Sequence, residues 1–75
     1  MTRLPRITGK DALKALQRAG FYIVRTHGSH HYLYHRDKDV LVTVPIHAGR
    51  TVAPKTLQSI LKQAGLTAER LAELL

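Results

Sequence analysis

The sequence predicts one α+β domain in the order α-β-β-β-α, with a short extra helix at its C-terminal end. A helical pattern of apolar residues opens the chain, three short runs of β-branched and aromatic residues follow, and two more helical patterns complete it. The connections between the runs are too short for parallel crossovers, so the strands form an antiparallel meander. Helices on one face of this three-stranded sheet leave its other face open.

Length and charge limit the classes of function. The 75 residues form one domain, residues 1–75, and exclude a two-domain enzyme. The chain lacks cysteine, which excludes disulfides and thiolate zinc sites. Twelve Lys and Arg against five Asp and Glu give a net charge of +7, which favours a polyanion as partner. We expect no membrane span and a cytoplasmic location, because no apolar run exceeds four residues.

The first helix is predicted over 9–19. Thr8 can cap it, Asp11 suits the positive end of the helix dipole, and Gly20 provides a left-handed stop. The apolar residues at helical spacing are Ala12, Leu13, Leu16 and Ala19. The cations spaced four apart on the exposed side are Lys10, Lys14 and Arg18.

Strands are predicted over 21–26, 30–35 and 40–44, with Pro45 ending the sheet. Strict alternation in the first strand predicts two opposite pairs, Phe21 with Ile23 and Tyr22 with Val24.

The later helices are predicted over 54–64 and 68–75. Pro54 suits a first helical position, Gly65 a stop, and Thr67 a cap. The predicted buried positions are Leu57, Ile60, Leu61, Ala64, Leu71 and Leu74.

Five histidines raise the question of a metal site. The pairs His27/His31 and His31/His35 have a spacing that suits one metal on a helix, but four residues of strand separate their ends by about 13 Å. A hairpin can still bring His27 or His47 near His30, yet no Cys, Asp or Glu lies beside this group. We therefore expect no metal and no cofactor.

His30 is the candidate for proton transfer, since an imidazole titrates near neutral pH. It follows Gly28 and Ser29, in a turn that lets a phosphate approach the backbone. Alternation puts it on one face with Tyr32 and Tyr34, which can contact RNA if the opposite face packs on the helices. The alternative is that His30 is one more polar residue on a solvated face.

Histidine with surrounding cations is enough to cleave RNA. A base removes the 2′-OH proton, the oxygen attacks the adjacent phosphate, and cations stabilise the added negative charge. The Lys10, Lys14 and Arg18 series, with Lys55 and Lys62 on the second long helix, can hold the RNA backbone. The alternative for these cations is a solvated helix face.

The order of several motifs resembles the HicA family of bacterial toxins over nearly the whole chain. These motifs are Leu4-Pro5, Thr8-Gly9-Lys10, Gly20-Phe21, Gly28-Ser29-His30-His31, Val42-Thr43-Val44-Pro45 with His47, and the stretch 56–66. One departure is Lys55 after Pro54, where relatives often have Gly.

The resemblance implies a fold like that of double-stranded-RNA-binding domains, metal-independent cleavage of mRNA, and a HicB-type antitoxin protein that covers the site. It also implies that His30 is the catalytic histidine, with Gly28, Ser29 and His47 in the supporting loops. A rival hypothesis is a non-catalytic RNA- or protein-binding module of this fold. A DNA-binding accessory protein is a third.

Overall fold

The computed structural model describes residues 3–75 and confirms the predicted α+β architecture. Its elements are α1 Gly9–Arg18, β1 Tyr22–His27, β2 His30–His35, β3 Val40–Pro45, α2 Pro54–Ala64 and α3 Ala68–Leu74. The strands form one antiparallel sheet in the order β1-β2-β3. Within residues 3–75, no helix is long and apolar enough to cross a bilayer.

A capping box starts α1. The Thr8 hydroxyl accepts a hydrogen bond from the Asp11 backbone at 3.1 Å, and the Asp11 carboxylate accepts one from the Thr8 backbone at 3.2 Å. Thr8 is therefore the predicted cap. Asp11 lies in the first turn, where the helix dipole favours a carboxylate, and it also accepts the second hydrogen bond of the capping box. The helix ends one residue before the predicted end because Ala19 is its C-cap, and Gly20 follows with a φ of 101°.

The core lies between the helices and one face of the sheet. Leu33, Val42 and Val44 are fully buried on that face, where α2 and α1 pack mainly against β3. The buried residues of the last two helices are the predicted ones, Leu57, Ile60, Leu61, Ala64, Leu71 and Leu74. In α1, Ala12 and Leu16 are buried as predicted, together with Ala15, which the predicted stripe omitted.

Polar and charged groups lie outside this core. No polar or charged residue is buried in the described part of the chain. The ion pair between Arg70 and Glu73 is exposed and contributes little to stability. The net charge of +7 consequently lies at the surface, where the positive side chains repel one another. An acidic or polyanionic partner would relieve this repulsion.

A β-bulge at Val24 corrects the predicted alternation in β1. Ile23 pairs with Leu33 and Arg25 pairs with Tyr32, so Val24 is an extra residue on the first strand. The bulge reverses the phase of the strand beyond it. Arg25 and His27 consequently share the face of Tyr22, although strict alternation predicts the opposite face for both.

The face of the sheet that carries no helix is here called the open face. Its cross-strand rows are His27–His30–Pro45, Arg25–Tyr32–Thr43 and Tyr22–Tyr34–Leu41. At its margins Tyr22 is 47% exposed and Leu41 is 53% exposed. The predicted one-sided packing is therefore present, and large apolar side chains remain in contact with solvent.

Pro45 is the last residue of β3 rather than the residue after it. The Thr43 N–H points away from β2 and donates to Gln63 Oε1 at 3.4 Å. Pro45, two residues further on, has the same outward orientation, so its missing N–H removes no bond from the ladder.

The start of α1 lies against the end of β3 at a position that has no room for a side chain. A Cβ atom on Gly9 would lie 2.5 Å from the Pro45 carbonyl oxygen and 3.0 Å from Ile46 Cα. Both neighbours are backbone atoms, which cannot rotate away. The glycine of the Thr8-Gly9-Lys10 motif is therefore required by packing.

We predict that Gly9→Ala lowers the free energy of unfolding by about 1–3 kcal/mol, the usual cost of overpacking. The direction of this change tests the close approach. Without the steric conflict, alanine would raise the free energy of unfolding by up to about 1 kcal/mol, because it is the better helix former. Urea denaturation followed by circular dichroism measures the difference, with Gln17→Ala as an exposed control in the same helix. A stabilised Gly9→Ala protein would contradict the close approach.

Candidate active site

His30 is the first residue of β2 and follows a two-residue turn. Gly28 has a φ of 59°, while Ser29 has an ordinary negative φ, as a type II′ hairpin turn requires. Beyond the residues next to it in the chain, no atom lies within 4 Å of the position that a Cβ on Gly28 would occupy. The His30 side chain is exposed. The turn therefore has open space at Gly28, and the His30 side chain is accessible.

The hairpin register brings a second imidazole to His30. His27 is the direct cross-strand partner of His30, and both residues are exposed on the open face. From the sequence, His27 was placed near His30 only as a possible metal ligand. The spacing His-Gly-Ser-His was the available signal, because a two-residue hairpin turn pairs the residues that flank it.

Ser29 joins the turn to the loop after β3 through its carbonyl oxygen. That oxygen accepts a hydrogen bond from the Ile46 backbone at 2.8 Å, and His31 Nδ1 lies 3.2 Å from it. His31 is half-buried on the helix side of β2 and so does not share the face of His30. The role of Ser29 in the structure is to hold the turn in place.

His47 lies in the loop that Ser29 holds. The backbone N–H of Arg50 donates to the His47 carbonyl at 3.0 Å, and Gly49 between them has a φ of 72°. His47 and Arg50 line a cavity of about 250 Å³ together with Pro45, the cross-strand partner of His30, and Thr56 at the start of α2. Arg50 is a cation of this region that the sequence analysis missed, since it lies in a loop without a motif.

The predicted cation series on α1 is divided in the structure. Lys10 lines a cleft with His47, next to the loop after β3. Lys14 and Arg18 line a separate cleft with Leu75, and Arg18 Nη1 donates to the Leu74 carbonyl at 2.7 Å. Arg18 thus fixes the end of α3, and only Lys10 of the three lies beside a predicted site residue.

The cations of α2 lie at its two ends. Lys55 is exposed in the first turn, next to Thr56 of the His47 cavity, and Lys62 is exposed in the last turn, about 10 Å further along the helix axis. The structure therefore brings Lys55 near the candidate site and leaves Lys62 at a distance from it.

Two predicted aromatic residues lie on the open face beyond His30. The Arg25 guanidinium lies 6.0 Å from the centre of the Tyr32 ring. Tyr34 makes an edge-to-face contact with Tyr22 and donates its hydroxyl to the Asp39 carboxylate. This hydrogen bond, followed by desolvation and the charges of Asp39 and Tyr22, raises the pKa of the Tyr34 hydroxyl above its ordinary value.

The histidines do not form a metal cluster within residues 3–75. No group of three or more His, Asp or Glu side chains there is close enough to hold one ion. His35 packs edge-to-face on Phe21, and its Nδ1 accepts a hydrogen bond from the Lys38 backbone. The five histidines are thus divided between the open face, the helix side of β2 and the loop after β3.

Comparison with known families bears on this site. No curated protein matches the chain significantly. The family model described as the HicA toxin of bacterial toxin–antitoxin systems matches residues 9–66, a span that runs from the start of α1 past the end of α2. The match includes the hairpin of His27 and His30 and the loop of His47. The chain therefore belongs to the HicA toxin family.

Proposed function

We propose that this toxin is a metal-independent endoribonuclease that cleaves mRNA in the cytoplasm and so blocks translation. The observation that carries the proposal is the cross-strand pairing of two exposed histidines, His27 and His30, at one end of an uncovered sheet face. The resemblance of the Gly28-Ser29-His30 motif to the family motif supports His30 as the catalytic residue.

His30 acts as the general base. Its imidazole takes the proton of a ribose 2′-OH, and the resulting oxygen attacks the neighbouring phosphorus. A 2′,3′-cyclic phosphate forms as the bond from phosphorus to the 5′ oxygen of the next nucleotide breaks. DNA lacks the attacking hydroxyl, so the proposed substrate is RNA.

The departing 5′ oxygen keeps the bonding electron pair and needs a proton. We assign this step to His27, because the register makes it the cross-strand neighbour of His30 on the same face. The cations of the region, Lys10, Arg50 and Lys55, are assigned to the negative charge on the phosphate. His47 shares its cavity with Arg50 and supports the same side of the site.

We assign the neutralising partner to an acidic HicB-type antitoxin protein. The toxin carries a net charge of +7, and an acidic partner gains both association rate and specificity from such a surface. Covering the exposed His30 end of the sheet would block RNA directly.

We predict that His30→Ala slows cleavage of single-stranded RNA by about 10²–10⁴-fold, the usual contribution of a general base. The free energy of unfolding should change by no more than about 1 kcal/mol, because the side chain is exposed. Cleavage is measured with purified protein in EDTA, and toxicity is measured by induced expression.

Thr26→Ala is the matched control for this test, since Thr26 is an exposed β1 residue on the other face of the hairpin. It should cleave at the normal rate. A His30→Ala protein that cleaves normally would move the base to His31 or His47, and one that unfolds would make His30 a structural residue. A wild type that binds RNA without cutting it would favour the non-catalytic binding module.

We predict that the need for His27 depends on the leaving group. His27→Ala should slow cleavage of an RNA dinucleotide by about 10²–10⁴-fold, since an alkoxide leaves poorly without a proton. It should leave the cleavage of a nucleoside 3′-(4-nitrophenyl phosphate) nearly unchanged, because nitrophenolate leaves unprotonated. Equal loss on both substrates would contradict the role of His27 as the acid.

We predict that Lys10→Ala with Lys14→Ala weakens RNA binding and flattens its salt dependence. Removing one interaction between a lysine and a phosphate should reduce the slope of log K against log salt by about 0.7 for a single strand. A 2′-O-methyl RNA, which cannot be cleaved, is titrated at several salt concentrations. Arg18 is left intact because it bonds to Leu74.

Arg70→Ala serves as the control for this pair, because it removes an exposed α3 cation that is bound to Glu73. Its slope should equal that of the wild type. An unchanged slope in the double Lys variant would show that these lysines are only a solvated helix face.

A further inference from the structure

The open face of the sheet has the chemistry of a surface for flat ligands. Two of its three rows contain aromatic rings, Tyr32 in one and the pair Tyr22 and Tyr34 in the other. No helix covers this face in the described part of the chain, and the fully buried strand residues, such as Leu33 and Val42, face the opposite way. The rings are therefore accessible while the strands beneath them are fixed by the core.

Neighbouring groups hold these rings in defined positions. Tyr22 and Tyr34 lie 5.9 Å apart between ring centres, at an angle of 84°. The hydroxyl of Tyr34 is bound to Asp39, and Arg25 lies over Tyr32. Aromatic rings and a guanidinium are the groups on which nucleobases stack. Because the rings are already ordered, a stacked base loses little affinity to the ordering of side chains.

The polar and charged groups on the open face are ordered along the strands. Arg25 occupies the middle row, and the two imidazoles occupy the row at the end. The carboxylate of Asp39 lies at the other end and accepts the Tyr34 hydroxyl. A polyanionic chain on this face would thus have its bases near the tyrosines and its phosphates directed toward Arg25 and away from Asp39.

We infer that the open face binds unpaired RNA by stacking its bases on Tyr32 and on the pair Tyr22 and Tyr34, next to the cleaved bond at His30. The inference rests on the proposed ribonuclease function and adds the class of substrate. Along β2, Tyr32 lies about 7 Å and Tyr34 about 13 Å from His30. The stacked bases would therefore be the near neighbours of the cleaved linkage.

Duplex RNA does not fit this surface. Its bases are already stacked on one another, and A-form helices are bound through 2′-OH and phosphate contacts across the minor groove. A row of tyrosine rings gives the bases of a duplex nothing on which to stack, because those bases are already stacked, whereas every unpaired base has a free π-face. The open face therefore selects single strands, even though the fold resembles that of duplex-binding domains.

The test compares the binding of single-stranded and duplex 2′-O-methyl RNA to Tyr22→Leu and Tyr32→Leu. Each variant should weaken single-strand binding by about 5- to 150-fold, the effect of losing one stacked base. Duplex affinity should stay unchanged. Tyr32→Phe should bind the single strand like the wild type, because the ring is kept. Ile23→Ala is the control, since Ile23 is an exposed β1 residue on the opposite face.

Cleavage assays separate this inference from the proposed function. The Ile23→Ala control should cleave RNA as the wild type does, because Ile23 lies on the opposite face. Both Leu variants should cleave single-stranded RNA with a raised KM, because the tyrosines hold the strand. If the wild type cleaves no RNA, the proposed function fails, while the binding comparison still decides the stacking.

Three results would overturn the inference. The first is wild-type affinity for the single strand in both Leu variants, and the second is an equal loss of affinity for single strand and duplex. The third is normal RNA affinity combined with lost binding to a HicB-type antitoxin, which would make the open face a protein-binding surface. Urea denaturation of each variant shows whether the sheet is intact, and Tyr32→Phe tests the ring when a Leu variant is unfolded.

Discussion

The arrangement of the candidate site depends on the close approach of the α1 N-terminus to the end of β3. Gly9 has no Cβ, so the Pro45 carbonyl and the Ile46 backbone can lie directly against the helix. From the same place the Ile46 N–H donates to Ser29 at 2.8 Å, while the Val52 N–H at the end of the loop donates to Ile7 at 2.7 Å. Three chain segments are thus joined mainly through backbone atoms. These backbone contacts fix the relative positions of the turn before His30, the loop that contains His47 and the start of α1, where Lys10 lies.

The bulge in β1 decides which side chains accompany His30. A regular strand would place Arg25 and His27 on the face opposite to Tyr22. The two-residue turn pairs His27 with His30, and the extra residue at Val24 brings Tyr22 to the same face as Arg25 and His27. The bulge also twists an exposed edge strand, which together with the Arg25 charge discourages pairing with another chain. One local irregularity therefore serves both the candidate chemistry and the solubility of the edge.

The secondary-structure elements and the apolar core could be predicted from the sequence, because they follow from local signals. Thr8, Pro54, Gly65 and Thr67 mark helix ends through backbone chemistry that acts within a few residues. The predicted buried face of α2 is buried in full. His30 could also be identified from the sequence, because the motif Gly28-Ser29-His30 consists of adjacent residues that form the turn themselves.

Part of the site, in contrast, became visible only in the folded chain. The bulge at Val24 has no local sequence signal, so the shared face of Tyr22 and Arg25 could not be derived from alternation. Arg18 follows Lys10 and Lys14 at helical spacing, yet it bonds to Leu74, a residue 56 positions away. Arg50 reaches the His47 cavity through the path of a loop. The contacts of Arg18 and Arg50 join residues that are distant in sequence, and the bulge changes which face of β1 each residue occupies. A local sequence pattern contains neither kind of information.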